Sequence, residues 1–137
     1  SYLKHINNND KLYPILLGLE VSKETELFFN NLSSAESFTT LIDQSASHHS
    51  MIGYLALQRA KRLAENGEDV VLVVDSLDKV IKNQNLYNGN NLLDLTGTTL
   101  ESAKQFLGCS RKFVGQGSLT VMAIYYYKSK RSLCKKK

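Results

Sequence analysis

Cysteine is scarce in this chain. Cys109 and Cys134 are the two present in 137 residues, too few and too far apart for a zinc pattern or a disulfide framework. Reduced thiols in a cytoplasmic protein are the expectation. No apolar stretch approaches the roughly 20 residues of a membrane span, so no membrane partner is expected. The opening Ser1-Tyr2-Leu3-Lys4-His5 does not read as a signal peptide. Acid is missing from one place in particular: Lys128 to Lys137 holds six of the seventeen basic side chains and no carboxylate. The remainder carries eleven basic against thirteen acidic side chains, a net of −2 inside a chain total of +4. The body is therefore mildly acidic and the end cationic. Lys128, Lys130 and Arg131 of that end can attract nucleic-acid phosphates by counterion release, although a basic end is more often simply solvated.

What remains is ordinary globular composition, 42% hydrophobic and 22% charged, enough for one core. A single domain over residues 1–127 with a basic tail over 128–137 is expected. Leu12 to Val21 is an apolar run in which Pro14 lies near the start, where a strand tolerates a missing N–H. Ser22 caps a helix with acidic residues in its first turn. Ser37 to Asp43 reads as a short strand. Met51, Ile52, Leu55, Leu57, Ala60 and Leu63 are spaced for a helix over 47–66 that stops at Asn66-Gly67. A strand over 70–75, a short helix over 78–85, a loop at Asn88 to Asn91, a helix over 98–110, a turn at Gly115-Gln116-Gly117 and a strand over 118–127 complete the pattern. Strands alternating with helices predict an α/β fold with a mostly parallel sheet.

The run Val70-Val71-Leu72-Val73-Val74-Asp75-Ser76 is the most informative segment. Five apolar residues, four of them β-branched, suit a parallel strand buried on both faces. Its Asp and Ser fall at the carboxyl end, where open α/β sheets place ligands. In P-loop ATPases an Asp there, the Walker B position, helps to hold the Mg²⁺ of a nucleotide. The companion G-x-x-x-x-G-K-[ST] does not occur in the sequence.

Segments in order along the chain resemble the ATPase core of the Rho transcription termination family. Ala46-Ser47-His48-His49 is similar to the family's alanine-serine-arginine-histidine turn, and Ala60-Lys61-Arg62-Leu63 to the second half of the same helix. Asp69 to Ser76 gives the strand and Leu77 to Asn85 the arm behind it. Phe106-Leu107-Gly108-Cys109-Ser110-Arg111 and Gly117-Ser118-Leu119-Thr120 follow in the family's order. The resemblance runs from about Leu12 to about Ile124. It implies a RecA-like fold, truncated relative to a full core, in a family of hexameric RNA-dependent ATPases that use ATP and Mg²⁺. RNA, further copies of the chain, or Rho-like ATPase subunits are the partners it implies.

By the same resemblance Asp75 falls on the metal-associated aspartate and Ser76 on the hydroxyl beside it. Glu20 falls on the carboxylate that polarises the attacking water, and Val21 on an arginine. Lys79 stands where an arginine usually follows the strand, keeping charge but losing the bidentate fork. Asn85 to Gly97 departs from the family's RNA-contacting loop, and no arginine finger is recognisable after Tyr127. A degenerate or partial ATPase core is thus one expectation, with no tight nucleotide binding by this chain alone. A non-catalytic RNA- or protein-binding module on the same scaffold is the other.

Each candidate has a plainer explanation. Asp75 as a turn cap and Glu20 as a solvated carboxylate would need no nucleotide. His48 and His49, adjacent on a helix, point about 100° apart and are expected to cap the helix or sit on its surface. Cys109 reads as core, and Tyr125-Tyr126-Tyr127 as strand packing more than as a stacking platform.

Overall fold

The computed structural model describes residues 12–87, 103–104 and 106–125. Along the chain these form β1 (Leu12–Val21), α1 (Lys23–Asn30), β2 (Glu36–Leu41), α2 (Ala46–Glu65), β3 (Asp69–Val74), α3 (Leu77–Tyr87), β4 (Arg111–Lys112) and β5 (Ser118–Ala123). The strands make one sheet in the order β2-β1-β3-β5-β4. The first four are mutually parallel, and β4 pairs antiparallel with β5. The expected α/β class and parallel core are borne out.

Direction of travel sorts the helices. The chain steps outward from β1 to β2, then back across β1 to β3, then onward to β5. Right-handed crossovers therefore put α1 on one face and α2 with α3 on the other. Alternation along the strands fills the second face. Ile15, Leu17, Leu19, Val70, Leu72, Val74 and Leu119 form the main core with Ala56, Leu57, Ala60, Val80, Ile81 and Phe106. On the α1 face Phe29 lies against Gly18, where a Cβ would meet the ring at 2.7 Å. Glycine at that point lets helix and strand approach.

Local chemistry sets the boundaries. Ser22 accepts from the Thr25 N–H as the α1 N-cap, and Ser45 accepts from the His48 N–H as the α2 N-cap. The 20-residue α2 ends at Asn66 and Gly67, the latter at φ 104°, in the left-handed region that glycine enters freely. At the amino edge of the sheet, Tyr13 donates to Glu36 at 2.9 Å, and Arg59 reaches both oxygens of Glu36 at 3.2 Å. One carboxylate thus ties β1, β2 and α2.

Three expectations are corrected. The pair β4 was not anticipated, because two exposed basic residues, Arg111 and Lys112, carry no apolar periodicity. The last strand ends at Ala123, and Tyr125 is an exposed residue beyond it, not strand packing. Cys109 lies in a turn after the helical residues 103, 104, 106 and 107, not within the helix, and is half-buried where it packs against the core. The loop at Asn88 to Asn91, the start of the helix at Thr98, Tyr126, Tyr127 and the tail with Lys128, Lys130 and Arg131 lie outside the described residues.

Candidate functional site

The direction of the chain reverses between β1 and β3. From β1 it leaves toward β2, and from β3 toward β5, so the carboxyl ends of this adjacent pair are the reversal point at which open α/β sheets place ligands. Two candidate carboxylates stand at these strand ends. Asp75 follows β3 directly, with its N–H on the Leu17 carbonyl at 3.0 Å. Its side chain is half-buried, and among the described residues it has no hydrogen-bond or ion-pair partner. A turn-capping carboxylate would accept a hydrogen bond, and Asp75 accepts none among the described residues.

Glu20 reaches the same edge by a different device. The β1–β2 register runs from Gly18 opposite Thr39 to Val21 opposite Leu41, so β1 carries one extra residue. Such a bulge bends the strand and re-aims a side chain. Glu20 takes up the excess at φ 53°, the one non-glycine with positive φ among the described residues. That conformation costs an L-residue about 1–2 kcal/mol, so neighbouring contacts must hold it.

They do so from three sides. The Glu20 N–H donates to the Thr40 hydroxyl oxygen at 3.1 Å. Thr40 is 1% exposed and sits 2.7 Å from Nδ1 of the buried His49. Because Thr40 Oγ1 accepts from Glu20, its own proton is available to His49 Nδ1. Lys79 donates its ammonium to the Leu19 and Glu20 carbonyls at 3.1 and 3.2 Å. The carboxylate itself accepts from the Asn83 amide at 2.7 Å, with Lys82 3.5 Å away, both on Oε1.

Glu20 is therefore not the solvated carboxylate of the plainer reading; its side chain is 19% exposed. Burial pushes the carboxyl up, but the Asn83 amide, Lys82 and His49 outweigh that and leave it below the usual carboxylate value. It is an ionised acceptor near neutral pH.

The other candidates are committed elsewhere. Ser76 is buried and donates to the Asp78 carboxylate at 2.6 Å, at the start of α3. Lys79 spends its charge on carbonyls at the end of β1. His49 is neither a cap nor a surface residue: it is 3% exposed and bonded to Thr40. Sequence reasoning missed Thr40, Lys82 and Asn83. Asn83 sits four residues after Lys79 on α3, a spacing that places the two on one helix face, but nothing local links either to Glu20. Among the described residues no group of three or more His, Cys, Asp or Glu could hold a metal ion by itself.

A mostly parallel sheet with helices on both faces and carboxylates at its carboxyl edge is part of a RecA-like α/β fold. No family model matches the chain. Its sequence is similar to proteins named transcription termination factor Rho. The one from Streptobacillus moniliformis is 32% identical over 120 residues, 85% of this chain and 29% of that protein. The one from Streptomyces coelicolor is 37% identical over 92 residues, 64% and 22% respectively, and that from Akkermansia muciniphila 31% over 112 residues, 80% and 24%. The chain is a relative of the Rho transcription termination factors over most of its own length. It spans between 22% and 29% of the length of these three.

Proposed function

We propose that the chain is part of a Rho-type, RNA-dependent ATPase core, acting in transcription termination in the cytoplasm. The observation that carries this reading is the pair of carboxylates, Asp75 and Glu20, on adjacent strand ends at the reversal point of a sheet related to Rho. Asp75 is the metal-associated residue. A single half-buried carboxylate without a partner suits Mg²⁺, which keeps several waters and takes its remaining oxygens from substrate phosphates. When bound, the ion would neutralise charge on the nucleotide phosphates. Glu20 orients the attacking water through its free oxygen, and its strand-end anchoring supplies the rigidity that such a base needs. Ser76 and Lys79 shape the floor of the site: the first starts α3, and the second fastens α3 to the end of β1.

RNA and neighbouring subunits are the partners that this reading assigns, with the cationic residues Lys128, Lys130 and Arg131 attracting phosphate. A chimaera tests it. Residues 12–125 replace the matching segment of the Streptobacillus moniliformis factor, and RNA-stimulated ATP hydrolysis is measured. Hydrolysis that is lost in Asp75→Asn and Glu20→Gln is expected. Hydrolysis indifferent to both substitutions, in a chimaera that assembles, overturns the assignment.

A further inference from the structure

The Glu20 carboxylate is held by one of its two oxygens. Oε1 accepts from the Asn83 amide at 2.7 Å and lies 3.5 Å from Lys82 Nζ. Oε2 has no hydrogen-bond partner among the described residues. Asn83 is itself fixed: it is 2% exposed, and its second amide hydrogen goes to the Lys79 carbonyl at 2.9 Å. Two acceptors facing the same nitrogen define which way the amide points, since Oδ1 cannot donate. Lys82 is half exposed, and a mobile, hydrated ammonium positions poorly. The buried amide is the rigid partner.

We propose that Asn83 is the positioning residue for Glu20: it pins Oε1 to α3, so that Oε2 is the oxygen left to accept from a water or hydroxyl. This rests on the reading of Glu20 as the water-orienting group. It adds a consequence for α3, because Lys79 and Asn83 clamp the same strand end from one helix face. Lys79 holds the Leu19 and Glu20 carbonyls, and Asn83 holds the carboxylate. A displacement of α3 along its axis would release both, so the aim of Glu20 is coupled to the position of α3. The charged or titratable groups facing Glu20 are Lys79 and Lys82 from α3 and His49 from α2, and β2 contributes the Thr40 hydroxyl.

Nuclear magnetic resonance on the full chain tests the pinning without any nucleotide. The Asn83 side-chain amide resonances of the wild-type chain should shift with pH at the same midpoint as the Glu20 carboxyl carbon. That shift should vanish in Glu20→Gln. In Asn83→Ala the Glu20 midpoint should rise, since a donor to the charged form is lost, while Lys82→Ala moves it less. An Asn83 amide that stays flat through the Glu20 titration overturns the proposal. So does an unchanged Glu20 midpoint in a folded Asn83→Ala chain. If that variant does not fold, the wild-type tracking decides alone. A chain that shows the tracking but yields an inactive chimaera removes the ATPase reading and leaves the pinning in place.

Discussion

Replacing Glu20 by glycine and by alanine separates the backbone from the side chain at the most unusual position in the molecule. Both substitutions remove the same contacts with Asn83 and Lys82, so those losses cancel when the two variants are compared. What differs is the cost of φ 53°. Alanine retains the left-handed penalty of about 1–2 kcal/mol, which glycine escapes. Glycine in turn loses about 0.5–1 kcal/mol through the greater freedom of its unfolded chain. The balance favours Glu20→Gly by up to about 1.5 kcal/mol, with a midpoint of about 0.8 kcal/mol. In an ordinary strand the order is reversed by a similar amount, because only the entropy remains. Urea unfolding followed by circular dichroism, compared through midpoints at a common slope, resolves a difference of this size. Glu20→Ala proving the more stable variant would refute the bulge and its left-handed residue.

Three further outcomes are expected. Gly117→Ala should destabilise by about 3 kcal/mol or more, because a Cβ there would lie 2.0 Å from the Glu68 carbonyl oxygen and within 2.7 Å of two more of its backbone atoms; thermal melting checks this. Thr40→Val should cost about 1–3 kcal/mol for each buried partner left behind, namely the Glu20 N–H and His49 Nδ1, as read in denaturant midpoints. The carboxyl of Glu20 lies below its ordinary value in the folded chain, so its contribution to stability is present above the unfolded value of about 4.3 and is lost as pH falls through the folded one. Glu20→Gln should therefore flatten part of the acid limb of the stability profile, and an unchanged limb would contradict the assigned contacts.

Much of this arrangement was legible in the residues. The β-branched run ending in Asp75 announced a buried parallel strand, and Ser22 marked a helix start by its capping chemistry. What stayed hidden depends on long-range geometry. A bulge of one residue at Glu20 leaves no trace in local propensity, since neither glycine nor asparagine marks the spot. The hold of Asn83 on Glu20 spans 63 positions and is created by the crossover that lays α3 beside the end of β1. His49 was read as a surface residue because adjacent histidines on a helix look like a polar face. Its burial against Thr40 follows from α2 lying across β2 and β1. Arg111 and Lys112 were unreadable as a strand because pairing with β5, not side-chain pattern, defines them.

The most direct test of a nucleotide site at Asp75 and Glu20 is a titration of the chimaera carrying residues 12–125 with a fluorescent ATP analogue, with and without Mg²⁺, repeated on its Asp75→Asn variant. Saturable binding that requires Mg²⁺ and weakens at least about tenfold in the variant, equivalent to about 1.4 kcal/mol, is predicted. No binding up to millimolar analogue, or binding indifferent to both Mg²⁺ and the substitution, would contradict it.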